Sequence, residues 1–518
     1  MEEKSRTKNS IFNAGSNFIV YFLKTLLNFI VRTIFIKTLG ELYLGVNGLL
    51  SNVLSMLSLA DLGVSSAISF CLYKPLADND YNKVSQTMTF FKKVYEIIGI
   101  IVAIFGTILY FFLDDIIKEY DSIPQLNIIY VLYLINTVST YYTSYKEVLI
   151  IADQKAYKLT KINILFTILL YFLQAIVLLI FKNFIVYLIV QFFIQILQKV
   201  ATNIFVSRQY DKIDFNCKTK IEKSTLNIIK KNVKAMMLHK IGDYCINGTD
   251  NIIISNMINV STVGYYSNYN MIITMINSII TMIYNNLTAS FGNLLVKEDK
   301  MKSLDIFKKI DFFAFILYSF CGIMFACLAS RFIEIWVGNK YVLDSITVML
   351  ISFNFFFTGT RVACTTVRNA AGLYSEDKWV PIWQSIINIV FSISLAKFIG
   401  LNGVIIGTII SSILPNIYRM YILYKNIFKE KYSQYLKTYY IPYILYFIIT
   451  MVIIYLINSF INVNGILGFI LVLVISLVLY SISIIAIFHG YSEMTFFIDI
   501  IKKVKRKLLR GGNRWKKD

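Results

Sequence analysis

Lys24, Asn28 and Arg32 stand four residues apart inside a long apolar run, 11–38. On a helix that spacing puts all three on one slowly drifting face. A bilayer is crossed by about 20 residues rising 1.5 Å each, so Lys24 falls near mid-membrane and Arg32 toward the far side. A cation at the centre of a lipid-facing helix costs about 2.5–3.5 kcal/mol, so this stripe has to face protein or a polar interior. Two readings fit. The cations bind an anion, or Asp61, at matching depth in the next apolar run, neutralises one of them in a structural pair and leaves Arg32 over.

A second set of ionisable residues lies later in the chain. The apolar run 236–258 carries His239, Lys240, Asp243, Asn247 and Asp250, and the run 343–372 carries Arg361 and Arg368. Each acidic or basic pair is seven residues apart and so shares a helix face. Antiparallel packing would set Asp243 against Arg368 and Asp250 against Arg361. That arrangement is either an ion-pair ladder or a place where the two acids take a coupling cation, H+ or Na+. Lys146, Glu147 and Lys199 sit nearer the ends of their segments, where they are expected to snorkel or pair locally. The candidate substrate-facing residues are therefore Lys24, Asn28, Arg32, Asp61, Arg361 and Arg368, with Asp243 and Asp250 as candidates for ion coupling.

Catalytic and metal chemistry find little support. No phosphate-binding loop, His-Glu-x-x-His or Gly-x-Ser-x-Gly motif occurs. The six cysteines are scattered without a Cys-x-x-Cys pair, and two histidines cannot build a metal centre alone. No metal site, no cofactor beyond a coupling ion, and no enzymatic activity are expected.

The elements that must position these residues follow from composition. The chain of 518 residues is 57% hydrophobic with a mean hydropathy of +0.63, far more apolar surface than a soluble fold can hide. It reads as an all-α polytopic membrane protein with about fourteen transmembrane helices. The segments are 11–38, 45–73, 92–113, 124–151, 159–181, 184–206, 236–258, 262–296, 310–333, 343–372, 379–399, 402–425, 438–460 and 464–490. The first run is too long for a signal-peptide core and is expected to stay in the mature protein.

The formal net charge of +21 is a topology signal and calls for no nucleic acid. Lysines and arginines gather in alternate loops, at 74–93, 155–161, 208–234, 297–309 and 419–437. On the other side Asp114, Asp115, Glu119 and Asp121 surround a lone Lys118. This alternation puts a multi-pass protein in the cell membrane with both termini in the cytoplasm.

Two stretches recur at nearly the same offset. Residues 44–48 (LGVNG) resemble 263–267 (VGYYS), and 151–155 (IADQK) resemble 374–378 (YSEDK). A parallel repeat of two six-helix lobes follows, 1–206 and 235–430, joined by a cytoplasmic linker, 207–234. Two further helices occupy 431–490. Gly400, Gly403 and Gly407 allow close helix approach or a bend, and Pro415 is expected to kink its helix. The tail 491–518 alternates apolar and basic residues at helical spacing, as a helix lying on an anionic leaflet does.

The stretches Gly45-Val46-Asn47-Gly48-Leu49-Leu50, Leu57-Ser58-Leu59-Ala60-Asp61-Leu62-Gly63 and Tyr73-Lys74-Pro75-Leu76-Ala77 carry a family resemblance. His239-Lys240-Ile241-Gly242, Thr249-Asp250-Asn251-Ile252-Ile253-Ile254-Ser255, Gly264-Tyr265-Tyr266-Ser267-Asn268-Tyr269 and Gly403-x-x-x-Gly407-Thr408 extend it over most of 10–430. The chain resembles polysaccharide-unit flippases of the multidrug/oligosaccharidyl-lipid/polysaccharide (MOP) exporter superfamily, particularly those of Gram-positive capsule and exopolysaccharide clusters. The resemblance implies a MATE/MOP-like fold with a central cavity. It also implies transport of an undecaprenyl-diphosphate-linked oligosaccharide from the inner to the outer leaflet, beside membrane lipids and polysaccharide polymerase or assembly proteins. First-helix cations, Arg32 and then Lys24, would contact the lipid diphosphate. Some relatives carry an arginine in the second span, which this sequence lacks. The alternatives are a drug or organic-cation antiporter of the same fold, whose cavity would be rich in acids and aromatics, a membrane-embedded polymerase or glycosyltransferase, and a non-catalytic scaffold.

Overall fold

The computed structural model describes residues 2–57, 64–118, 120–219, 221–222, 225–227, 229–230, 233, 248–373, 376–461, 463–499 and 502. Asp61, most of the 236–258 segment with Asp243, much of the linker, and most of the basic tail lie outside them. The described residues are helical, with no strand among them. The long helices are α1 (Glu2–Leu57), α2 (Val64–Ala77), α3 (Tyr81–Tyr110), α4 (Leu126–Ala152), α5 (Thr160–Ile180), α6 (Phe184–Gln209), α7 (Val260–Lys297), α8 (Lys300–Val337), α9 (Ser345–Gly359), α10 (Val362–Ala371), α11 (Val380–Leu423), α12 (Ile441–Ser459) and α13 (Gly465–Phe488). Ten helical stretches among the described residues are long and apolar enough to cross a membrane. Two of these take in parts of two sequence segments each, Gly15–Met56 and Val380–Phe428. The chain is an all-α polytopic membrane protein.

Both double segments break at a glycine. α1 leaves helical dihedrals at Gly40, with φ 81°, and α11 at Ile399 and Gly400, the latter with φ 55°. Positive φ is accessible to glycine without a Cβ clash, so the chain reorients here. The kink expected at Pro415 is not where α11 departs from helical dihedrals. Pro415 lies in continuous helix, and the break comes at Gly400 instead.

Two compact units divide the chain. The first comprises Met1–Ser267 with Pro381–Ile389 and Ala396–Gly400; the second comprises Asn268–Val380, Val390–Leu395 and Leu401–Asp518. In the first, α3 packs on α4, α4 on α6, α6 on α5 and α5 on α1. The outer face of α1 carries Phe18, Phe22, Leu26 and Ile30, all exposed at four-residue intervals. Phe22 and Lys24 are two residues apart, about 200° around the helix, so the greasy stripe and the polar stripe fall on opposite faces. In the second unit α8 packs on α9, α12 and α13, around an aromatic core in which Phe315 stacks on Tyr443 and Phe356 on Phe447.

Within the first unit the two similar stretches, 44–48 and 263–267, meet. A Cβ on Gly45 would lie 2.0 Å from the Val260 carbonyl oxygen, and one on Gly264 would lie 3.0 Å from the backbone nitrogen of Gly45. Removing both side chains lets the backbones touch. Tyr265 Oη closes the crossing by donating to Glu41 Oε2 at 2.6 Å. Gly45→Val should therefore cost about 1–3 kcal/mol through forced displacement of backbone, measured as a lower unfolding temperature of the purified protein in detergent. Gly48→Ala, whose Cβ would meet Ser267 Cβ at an ordinary 3.6 Å, should be tolerated. Equal unfolding temperatures for the Gly45→Val and wild-type proteins would show that this crossing can relax.

Candidate functional site

A cavity of about 510 Å³ opens among α1, α4, α5 and α6 in the first unit. α1 contributes Lys24, Asn28, Asn47 and Ser51, and α4 contributes Ser139, Thr140 and Glu147. Facing them are Asn163, Thr167, Tyr171 and Gln174 of α5, with Tyr187, Gln191, Gln195, Gln198 and Lys199 of α6. Apolar contributions are few, among them Val20, Leu170 and Ile196. Two residues of the α1 polar stripe, Lys24 and Asn28, are part of this lining.

The groups on the wall are partly tied to one another. Lys199 Nζ pairs with Glu147 Oε2 at 2.6 Å, Gln198 Nε2 donates to Asn163 Oδ1 at 3.1 Å, and Gln174 Nε2 donates to Gln191 Oε1 at 3.2 Å. Tyr133 Oη donates to Asn47 Oδ1 from behind the wall. Lys24 makes no hydrogen bond or ion pair with any described residue. Because Glu147 neutralises Lys199, the described lining residues carry a net charge of one, on Lys24.

The predicted site residues are distributed unevenly. Lys24 and Asn28 line the cavity. Arg32, two turns past Lys24, donates instead through Nη2 to Ser267 Oγ of α7, and Ser267 Oγ in turn donates to the Gly264 carbonyl at 2.7 Å. Asp61 and Asp243 lie outside the described residues. Asp250 is half-buried and close enough to Tyr266 to act on it electrostatically.

Arg361 and Arg368 belong to the second unit. Arg361 caps α10, donates through Nε to the Thr358 carbonyl at 3.1 Å, and borders a water-sized void with Asp311 and Tyr435. Tyr435 Oη donates to Asp311 Oδ2 at 2.7 Å. Arg368 pairs with Asp377, which also accepts from Arg419 Nε at 2.8 Å. The ladder expected from the seven-residue spacing named Asp243 as the acid for Arg368. Among the described residues Arg368 pairs with Asp377, nine residues further along the chain, and Asp243 lies outside them.

Reading for charges alone passed over much of the wall. Gln191, Gln195 and Gln198 recur at i, i+4 and i+7, and Asn163, Thr167 and Gln174 at i, i+4 and i+11, inside two apolar segments. That periodicity within apolar segments is a readable signal for a polar helix face. Asp311 stands in neither candidate set, and Asp377 and Arg419 enter the sequence reading only as members of the similar stretch 374–378 and the basic loop 419–437. Among the described residues no three His, Cys, Asp or Glu side chains gather as metal ligands do.

Membrane-crossing helices that enclose amide, hydroxyl and ammonium groups define a polytopic membrane protein with a polar cavity inside its first unit. A family model described as "Polysaccharide biosynthesis protein" matches residues 10–287, more than half of the chain, and the protein belongs to that family.

Solved structures share its fold, among them transporters of the MOP superfamily. An inward-facing multidrug resistance MATE family transporter of that superfamily matches at a TM-score of 0.63 and 13% identity, over 82% of this chain and 99% of its own. The Lipid II flippase MurJ in an inward closed conformation matches at a TM-score of 0.65 and 14% identity, over 91% and 98%. A MOP superfamily transporter from Pyrococcus furiosus, described as having a binding pocket of reverse polarity, matches at 0.55 and 13%, over 82% and 97%. At such identities the likeness is one of fold. No curated protein sequence matches the chain significantly.

Proposed function

We propose that this protein is a flippase that moves undecaprenyl-diphosphate-linked oligosaccharide units from the inner to the outer leaflet for capsule or exopolysaccharide synthesis. The observation that carries the reading is the polar cavity in a membrane-spanning unit, with Lys24 as the net charge of its described lining residues. A diphosphate loses its hydration on entering a membrane, and a cation with hydrogen-bond donors around it replaces that hydration. The polyprenyl chain needs no polar site and stays in lipid. Membership of a polysaccharide biosynthesis family supports the substrate class, and the fold shared with a lipid II flippase supports the mode of action.

In this reading the two repeats, 1–206 and 235–430, are lobes that rock to expose the cavity to each side in turn. Both termini face the cytoplasm, Asp243 and Asp250 take the coupling proton or sodium ion, and a polymerase consumes the product outside. Arg32 holds the first helix to Ser267 next to the cavity and lends its charge to the path of the diphosphate.

The test is leaflet-resolved measurement of lipid-linked oligosaccharide in cells depleted of the protein and in cells carrying only Arg32→Ala. Completed units should be trapped on the inner leaflet in both, with the variant inserted at normal abundance. Unchanged surface polysaccharide in the variant would remove Arg32 from the path. Normal flipping with unpolymerised units outside in depleted cells would replace the flippase reading with a polymerase. No change in lipid-linked sugar would favour a drug exporter of the same fold.

A further inference from the structure

We infer that a groove between α4 and α6, facing away from the main cavity, binds an anionic glycerophospholipid, with the phosphate between Lys146 and Arg208 and the acyl chains along α6. Such a site needs only the membrane class of the chain, whatever the main cavity carries.

The groove has a volume of about 420 Å³ and is lined by Lys146, Val200, Asn203, Ile204, Ser207 and Arg208, all in the first unit. Two of these are cations, and none is an acid. Lys146 Nζ donates to Ser207 Oγ at 2.6 Å and stands 4.5 Å from the centre of the Phe215 ring. These contacts hold the ammonium at the groove with donors to spare. Neither Lys146 nor Arg208 forms an ion pair with a described residue, whereas Lys199, on the cavity side of α6, has Glu147. Lys92 of α3 is close enough to Lys146 to repel it, which adds to the positive field at this end of the helices. An anion seated between the cations turns that repulsion into attraction.

The occupant follows from what lies beside the cations. Phe193, Leu197, Val200 and Ile204 are exposed at i, i+4, i+7 and i+11, one apolar stripe that runs along α6 to Arg208. At about 100° per residue it points to the side of α6 opposite Gln191, Gln195 and Gln198, and so toward lipid. Asn203, one turn before Ser207, also lines the groove, and its amide nitrogen donates to no described residue. It lies between the apolar stripe and the cations, where the ester carbonyls of a glycerolipid can accept from it. Hydrocarbon, ester and phosphate follow one another in that order in a glycerophospholipid. A polyprenyl phosphate has no ester layer, and a free anion makes no use of the stripe. Basic pockets between membrane helices hold anionic headgroups in this way. In the topology proposed above the leaflet is the inner one.

The experiment titrates the purified, delipidated full-length protein in detergent with phosphatidylglycerol and with phosphatidylcholine of the same acyl chains, counting bound lipid by native mass spectrometry. Phosphatidylglycerol should bind about 25-fold more tightly, at about fivefold for each of the two cations beside its phosphate. Arg208→Gln, at a position with no partner to lose, should reduce that preference about fivefold. Lys146→Met keeps the length of the side chain, and combined with Arg208→Gln should erase the preference.

Equal binding of the two lipids to the wild-type protein would overturn the site and leave both cations snorkelling to water. A preference that survives in the double variant would place anionic lipid elsewhere in the molecule. Displacement of phosphatidylglycerol by inorganic phosphate would make the groove a site for a free anion. Tighter binding of undecaprenyl phosphate, lost in the double variant, would make it a polyprenyl site, and either result would remove the phospholipid from it.

Discussion

Lys24→Glu should abolish flipping while the protein inserts at its normal level. Lys24 is the net charge of the cavity lining, because Lys199 is already spent on Glu147 at 2.6 Å. A charged hydrogen bond to phosphate is worth about 1.5–3 kcal/mol, and each 1.4 kcal/mol is about a factor of ten. Neutral Lys24→Gln should thus lower the flipping rate by roughly 10–100-fold. The glutamate turns the lining from net positive to net negative, repels the diphosphate, and should take the rate below detection. Lys24→Arg keeps the charge and should retain most activity. The measurement is outer-leaflet appearance of lipid-linked oligosaccharide in cells expressing each variant at matched abundance. Wild-type rates in Lys24→Glu would mean that the diphosphate follows another route. No folding penalty is expected, since Lys24 has no described partner to lose.

Asp377→Ala should have the largest effect on stability. Asp377 is 1% exposed and its carboxylate serves both Arg368 and Arg419. Removing it leaves two guanidiniums facing each other in a buried site. Breaking a buried pair from one side costs about 3–5 kcal/mol, mostly as the penalty of the orphaned charge. For a protein of marginal stability that is enough to deplete it from the membrane. The check is membrane abundance together with the unfolding temperature in detergent. Because the three groups act as a unit, Asp377→Ala combined with Arg419→Met should be less damaging than Asp377→Ala alone. If Asp377→Ala unfolds at the wild-type temperature, the cluster is not structural.

The contrast between these two charges shows where local and long-range information part. Lys24 and Asp377 are both ionisable residues near apolar stretches, and nothing in their immediate neighbours says that one faces a cavity and the other a pair of arginines. Asp377 sits in a stretch similar to 151–155, where Asp153 accepts from Tyr210 Oη at 2.6 Å. In both places an acid after a helix ties that connection to a neighbour, and the choice of neighbour is made by the fold.

Hydropathy and period are local properties, so the sequence by itself determined the all-α membrane class, the positions of most spans, and the two faces of α1. Phe22 and Lys24 point apart because 3.6 residues make a turn, whatever surrounds them. The glutamines of α6 form an equally legible stripe, although an uncharged one. Tertiary structure decided which polar groups share a space. It put Lys24 and Asn28 on the cavity and gave Arg32 to Ser267, more than two hundred residues away. It gave Arg368 to Asp377. Each outcome depends on how helices distant in sequence cross, and that is set by contacts such as Gly45 against Val260, where a missing side chain allows an approach that no local pattern encodes.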